Sequence, residues 1–266
     1  MKILIVGAGN MGRTYAEGFL HNHLLTKDDL LILEKLPERA EQLRQEGYAQ
    51  VMYEPQPSIL HTDILMLAVK PQDLPPLLPK LRPFLRPDHL VLSIMAGIQI
   101  RTLTEGLGIP KVIRAMPNLP AQIGMGMTGF TAAPEVDKRE LFIIQNLINT
   151  TGKSIYFEQE SQLDAVTAIS GSGPAYVFFF MEAMMASARQ MGFTASEAEL
   201  LVEQTFLGAV NLVRGSRFSC AEWIEKVASR GGTTEAALQV FAQTELHQHI
   251  GQGTEAARQR AEVLGK

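Results

Sequence analysis

Cysteine is nearly missing from this chain. Cys220 is the one thiol in 266 residues, so no intrachain disulfide can close and no cysteine-rich zinc site can assemble. A reducing, cytoplasmic setting fits such a chain better than a secreted scaffold. Cationic excess is missing too: 24 Lys and Arg stand against 28 Asp and Glu, a net charge of −4, and no basic stripe with interleaved aromatics addresses nucleic acid. Long apolar runs are also missing. Met1 to Val6 breaks at Gly7, too early for a signal-peptide core, and the stretch from Ala175 to Ala188 carries Glu182 inside it, short of the ~18 apolar residues of a membrane span. No membrane partner is expected. His21 and His23 lie two apart on an expected helix, as do His247 and His249, so neither pair shares a face and no metal is expected. A G-x-S-x-G elbow is absent, which leaves a hydrolase without an anchor.

What is present is ordinary globular material, 46% hydrophobic and 20% charged. At ~100–200 residues per domain the length allows one large domain or two modest ones. The first half alternates short β-branched runs with helix-period segments, the pattern of parallel strands joined by crossover helices. Strands are expected near 2–6, 30–34, 49–53, 63–69, 89–94 and 111–115, with helices near 11–24, 37–47, 72–82 and 99–106. Residues 63–69 lack alternation, as a strand covered on both faces should. Prolines 71, 75, 76, 79, 83 and 87 make the helix near 72–82 short or broken, and residues 123–132 and 153–157 are expected as two edge strands. After about residue 160 strand signals stop and helices follow, separated by glycines at 171–173, 192, 215 and 231–232. The expectation is an α/β Rossmann-type doubly wound sheet over residues 1–158, followed by an all-α domain over 159–266.

Gly7-Ala8-Gly9-Asn10-Met11-Gly12 follows a strand and opens a helix, the context in which G-x-G-x-x-G marks a dinucleotide site. Gly7 permits the tight turn, Gly9 lets backbone reach a pyrophosphate, and Gly12 lets the helix pack on the strand. Glu34 lies 22 residues beyond Gly12 at the end of the second strand, where a carboxylate accepts hydrogen bonds from the adenosine ribose. Lys35 and Arg39 offer cations for a 2′-phosphate, so NAD and NADP both remain open. Two further strand ends, Ala68-Val69-Lys70-Pro71 and Ala115-Met116-Pro117-Asn118, should border the same ligand; as plain turns they are equally well explained by rigid exits from the sheet.

In the helical half, Ser170-Gly171-Ser172-Gly173-Pro174 and Ser229-Arg230-Gly231-Gly232-Thr233-Thr234 each precede a helix and can cradle an anion on unpaired amides. Ser172 or Gly173, and Thr233 or Thr234, also serve as simple caps. Tyr176 to Ala186 is apolar around nearly its whole helical wheel. Such a helix must be buried on all sides, either as a central core helix or by the helices of a partner subunit.

These blocks together resemble pyrroline-5-carboxylate reductase, the last enzyme of proline biosynthesis, along essentially the whole chain. The likeness rests on residues 7–12, Ala-Val-Lys-Pro at 68–71, Arg-Ala-Met-Pro-Asn at 114–118, Asp-Ala-Val-Thr-Ala-Ile-Ser-Gly-Ser-Gly-Pro-Ala-Tyr at 164–176 and Gly-Gly-Thr-Thr at 231–234. It implies a helical dimerisation domain interlocked with its copy, in some members built into higher assemblies, and an NAD(P)H-dependent reduction of the pyrroline C=N bond to L-proline. By the resemblance Thr234 holds the ring nitrogen, by orientation rather than as an acid; Ser229, Gly231, Gly232 and Thr233 bind the substrate carboxylate; Ser170, Gly171 and Ser172 shape the pocket floor. Gly7, Gly9, Asn10, Met11, Gly12, Glu34, Lys35, Ala68, Val69, Lys70, Pro71, Met116, Pro117 and Asn118 are the expected coenzyme contacts.

Three positions depart from the family's habit. Arg230 replaces a proline, Lys226 an asparagine, and Glu34 a small polar residue. The first two add positive charge beside the expected carboxylate site. Two alternatives share the fold: a β-hydroxyacid dehydrogenase-like enzyme acting on another small acidic imine or hydroxy acid, and a silent NAD(P)-sensing homologue. The first needs a lysine in the helix after Gly171–Gly173, where there is none.

Overall fold

The computed structural model describes residues 1–264. Within them the chain divides into two compact units, residues 1–173 with a returning C-terminal segment from 257, and residues 174–256.

The first unit is built on one eight-stranded sheet of order β3-β2-β1-β4-β5-β6-β7-β8. β1 (Ile3–Val6), β2 (Leu30–Leu33), β3 (Gln50–Met52), β4 (Ile64–Leu67), β5 (Leu90–Ser93) and β6 (Val112–Met116) are parallel, with β1 pairing β2 on one side and β4 on the other. The order reverses at β1, the position where open α/β sheets leave a crevice at their carboxyl ends. β1 is Ile-Leu-Ile-Val and wholly buried. Ile3 and Ile5 join one apolar cluster with Tyr15, Phe19, Phe130 and Ile144, whereas Leu4 and Val6 join the cluster of Leu65, Leu81, Leu103 and Leu107 on the opposite face. Helices α1 (Asn10–His21), α2 (Pro37–Gln45), α3 (Leu78–Leu81) and α4 (Ile100–Leu107) lie where the pattern places them. The proline-rich segment gives one turn of α-helix between 3₁₀ turns at Pro71–Asp73 and Arg82–Phe84.

Three features differ from expectation. β7 (Gly126–Ala132) is not an edge: it runs antiparallel to β6 and carries β8 (Gly152–Tyr156), parallel to itself, on its far side. Between them stands α5 (Lys138–Asn149), which the apolar spacing did not announce. Its start is fixed by a capping box, Asp137 accepting from the Glu140 N–H at 2.8 Å while Glu140 accepts from the Asp137 N–H at 3.0 Å. The third concerns the division between units. It falls at Gly173 rather than 158, because α6 (Gln162–Val166) packs against β6 and β7. The Arg114 side chain on β6, 3% exposed, binds Glu160 at 3.0 Å and Asp164 at 2.9 Å. A buried guanidinium needs such partners, and that requirement draws residues 160–164 into the first unit.

The second unit is helical: α7 (Gly173–Gln190) leads into it, then α8 (Ala195–Arg214), α9 (Cys220–Val227), α10 (Thr233–Gln243) and the start of α11 (Leu246–Leu264). The expected glycines punctuate it; Gly192, at φ 101°, takes a left-handed turn that suits a residue without Cβ. α8 and α9 open with Thr194–Glu197 and Ser219–Glu222 capping boxes. α10 and α11 separate without glycine, through Glu245 at φ 53°. Within one chain α7 has no buried residue, and Phe179 is 72% exposed.

Candidate active site

The strand ends of the first unit open into a cleft of about 700 Å³. Its floor is the glycine turn. Gly7 has φ +94°, and a Cβ there would stand 2.8 Å from Val69 Cγ1; a Cβ on Gly12 would stand 2.0 Å from the Gly7 carbonyl oxygen. Both positions demand glycine so that α1 can seat against β1 and β4. Gly9 differs. A Cβ there would meet nothing within 4 Å, so its bareness keeps open space in front of the α1 N-terminus. Gly9 caps that helix without any side-chain partner, and the first turn contains no acid. Free amides, a positive helix end and open room suit a pyrophosphate.

Glu34, just past β2, has a side chain only 4% exposed. Its two oxygens accept backbone N–H bonds, Oε2 from Ala8 at 3.0 Å and Oε1 from Leu36 at 2.9 Å, and Arg39 Nη1 stands 3.3 Å from Oε2. Of the expected coenzyme contacts, Gly7, Gly9, Asn10, Met11, Glu34, Lys35, Ala68, Val69 and Lys70 line the cleft. Gly12 acts beneath it, and Pro71 opens the following 3₁₀ turn. Tyr53, Asp73 and Lys80 also line it, and the sequence analysis missed them. Tyr53 follows β3, so its position at a strand end was the available signal; Asp73 and Lys80 arrive from the broken helix after β4, which carries no motif.

Met116, Pro117 and Asn118 do not line this cleft. Met116 and Asn118 meet the 167–172 segment instead. Asn118 Oδ1 accepts the Met127 N–H at 2.9 Å, which aims its Nδ2 at Ser170 Oγ, 3.2 Å away. A Cβ on Gly171 would stand 2.6 Å from Met116 Cε. Residues Thr167–Gly171 form a π turn, closed by the Ser172 N–H on the Thr167 carbonyl at 2.8 Å; such turns are frequent at functional sites.

The second glycine-rich segment belongs to the second unit. Gly232, not a threonine, caps α10, and it does so without a side-chain bond; Thr233 and Thr234 occupy the first two helical positions. A Cβ on Gly232 would stand 2.6 Å from Ser229 Oγ, while Gly231 takes φ +72°. The Gly231 N–H is already donated to Glu235 Oε2 at 2.6 Å, so Gly231 contributes its turn rather than a free donor. Among the described residues no group of three or more His, Cys, Asp or Glu is placed to hold a metal ion, and no helix is long and apolar enough to cross a membrane.

Comparison with known proteins matches the two halves of the chain separately. Residues 160–264 match the model for pyrroline-5-carboxylate reductase dimerisation, and residues 2–97 match that for NADP oxidoreductase, coenzyme F420-dependent. A pyrroline-5-carboxylate reductase of Pseudomonas aeruginosa is 33% identical over 266 residues, covering 100% of this chain and 97% of its own. The structure of a pyrroline-5-carboxylate reductase from Coxiella burnetii superposes with a TM-score of 0.90 at 31% identity, over 100% of this chain and 98% of that one. That of Plasmodium falciparum pyrroline carboxylate reductase, with NADP bound, gives 0.89 at 26% identity, over 100% and 98%. With likeness running through the coenzyme turn and the helical half alike, the chain belongs to the pyrroline-5-carboxylate reductase family.

Proposed function

We propose that this chain reduces 1-pyrroline-5-carboxylate to L-proline at the expense of NAD(P)H, as the closing step of proline biosynthesis. The observation that carries the proposal is the pairing, in one chain, of an open glycine turn at a helix N-terminus with the Ser229–Thr234 segment. The cleft fits the coenzyme: Gly9 leaves room for the pyrophosphate and Glu34 ends the strand where the adenosine ribose would lie. When bound, the dihydronicotinamide supplies a hydride to C5 of the ring while the ring nitrogen takes a proton, so C=N becomes CH–NH. An iminium is already electrophilic, and positioning is what the protein must add.

That positioning is assigned first to the Ser229–Thr234 segment. Ser229 Oγ and the Thr233 N–H take the substrate carboxylate; the Gly232 N–H is donated to the Ser229 carbonyl at 2.9 Å, so Gly232 serves by its compact backbone, which leaves no space for a side chain. The Thr234 hydroxyl, one position into α10, orients the ring nitrogen. Within the first unit Asn118 holds Ser170 and Met116 lies against Gly171, and Ser170, Gly171 and Ser172 are assigned as pocket-floor residues. α7 contains no lysine, which leaves a β-hydroxyacid dehydrogenase without its catalytic base. The working unit is a homodimer joined through the helical half, and a cytoplasmic location suits a consumer of NAD(P)H. Mixing the purified protein with pyrroline-5-carboxylate and either reduced coenzyme should remove absorbance at 340 nm and yield proline. No loss with NADH or with NADPH overturns the proposal.

A further inference from the structure

The adenosine end of the coenzyme cleft shows which coenzyme it is made for. Of the four cations that line the cleft, the three other than Lys70 are matched to carboxylates: Arg39 to Glu34 at 3.3 Å, Lys35 to Asp73 at 2.6 Å, and Lys80 to Glu54 at 3.0 Å. A phosphate on the ribose 2′-oxygen, with a charge of about −1.5 to −2 near neutrality, must compete with those carboxylates for their cations, and at Arg39 it meets the buried Glu34.

Glu34 cannot step aside to make that exchange. Its side chain is 4% exposed and both oxygens are engaged by backbone N–H groups, those of Ala8 and Leu36. Swinging the carboxylate away strands the buried Ala8 N–H and breaks the part-buried bond from Leu36. The Ala8 bond also ties it to the glycine turn itself, so moving Glu34 loosens the backbone that meets the pyrophosphate. The carboxylate therefore stays where it is. A ribose hydroxyl can donate to it; a phosphate can only repel it.

We propose that this chain takes NADH in preference to NADPH, and that Glu34, braced by Ala8 and Leu36, is the residue that rejects the 2′-phosphate. The inference rests on the coenzyme cleft assigned above but not on the identity of the reducible substrate. The chain's departure at Glu34 thus acquires a role: the brace converts a flexible acid into a fixed one, and Arg39 is held by it rather than offered to the ligand.

The test is fluorescence titration of the purified full chain with NADH and with NADPH, without substrate, followed by kcat/KM for each with pyrroline-5-carboxylate. NADPH should bind about tenfold more weakly or worse, one charge-repulsion step of roughly that size. Glu34→Gln keeps the shape and removes the charge. It should raise NADPH affinity about tenfold and bring the ratio near one, and adding Arg39→Ala should abolish that gain, because the freed guanidinium supplies it. Equal or tighter NADPH binding by the unaltered protein overturns the inference, as does a ratio that Glu34→Gln leaves unchanged. Should Glu34→Gln fail to fold, the unaltered ratio still decides. Binding of neither coenzyme overturns the cleft assignment along with it, whereas tight NADH binding without proline formation removes the proposed reaction and leaves the coenzyme preference supported.

Discussion

The sheet unit and the helical unit bury apolar surface by different means. In the first, strands with near-continuous Ile, Leu and Val are covered on both faces by helices of the same chain, and β1, β2, β4 and β5 are buried along their length. In the second, α7, α9 and α10 contain no buried residue within one chain, although Phe178, Phe179, Leu201, Ile224 and Phe241 lie on them or on α8. An amphipathic helix closes a core with one face, but a helix apolar all round needs cover on every side. The difference teaches how apolar surface is covered: the sheet unit buries its own strands, whereas the helical unit, which matches a dimerisation model, leaves apolar helices for self-association to cover.

The sharpest way to break this contrast is a charge at the exposed apolar surface. Phe179→Glu should leave a monomer by light scattering and lower kcat/KM by more than about a hundredfold, since an unpaired charge in an apolar interface is not tolerated. NADH affinity should stay within about threefold, because the cleft is built by the other unit. Loss of both together would mean the two halves are not independent.

Next in size is the lock within the first unit. Arg114→Met leaves Glu160 and Asp164 facing each other without their cation, at a cost of about 3 kcal/mol. A Tm lower by roughly 6–10 °C in thermal unfolding is expected, with self-association retained. Third, Thr234→Ala should lower kcat about tenfold, a loss of one oriented hydrogen bond, with coenzyme affinity unchanged by titration. Wild-type kinetics in that variant would remove Thr234 from its assigned role.

The smallest effect separates the units by pH. His89 is fully buried, its Nδ1 accepts the Arg86 N–H at 2.9 Å, and burial, with Arg86 nearby, holds its pKa below the ordinary 6.5. The unfolded chain takes up that proton first, so stability is complete above pH 6.5 and falls as pH drops toward the folded-state pKa. In the second unit, Glu197 and Glu222 are held below 4.5 chiefly by the backbone N–H groups of Thr194 and Ser219. Their contribution is present above pH 4.5 and is lost only in stronger acid. Tm measured from pH 7.5 to 5 should decline modestly, and His89→Gln should flatten the decline.

The features legible in the sequence are those set by local rules. The glycine turn before α1, the central β4 without alternation, the proline-broken α3 and the glycine-separated helices all follow from residue type and spacing. What was not legible depends on partners distant in sequence. That β7 lies between β6 and β8 is a matter of pairing, not of composition. The division at Gly173 arises because Arg114 finds its acids 46 and 50 residues away. α5 could have been found from the Asp137–Glu140 capping box alone. In the candidate site, Glu34 was visible as an acid at a strand end, but its bond to Ala8, 26 residues away, was not, and that bond is what fixes it in place.

The central claim is that the coenzyme cleft is finished within one chain, whereas proline formation depends on the self-associating helical half. The most direct measurement is proline formed per coenzyme oxidised when the purified, associated protein meets pyrroline-5-carboxylate and NADH. One proline for each NADH consumed, with Phe179→Glu binding NADH yet forming none, is the expected result. NADH consumed without proline, or full proline formation by the monomeric variant, would contradict it.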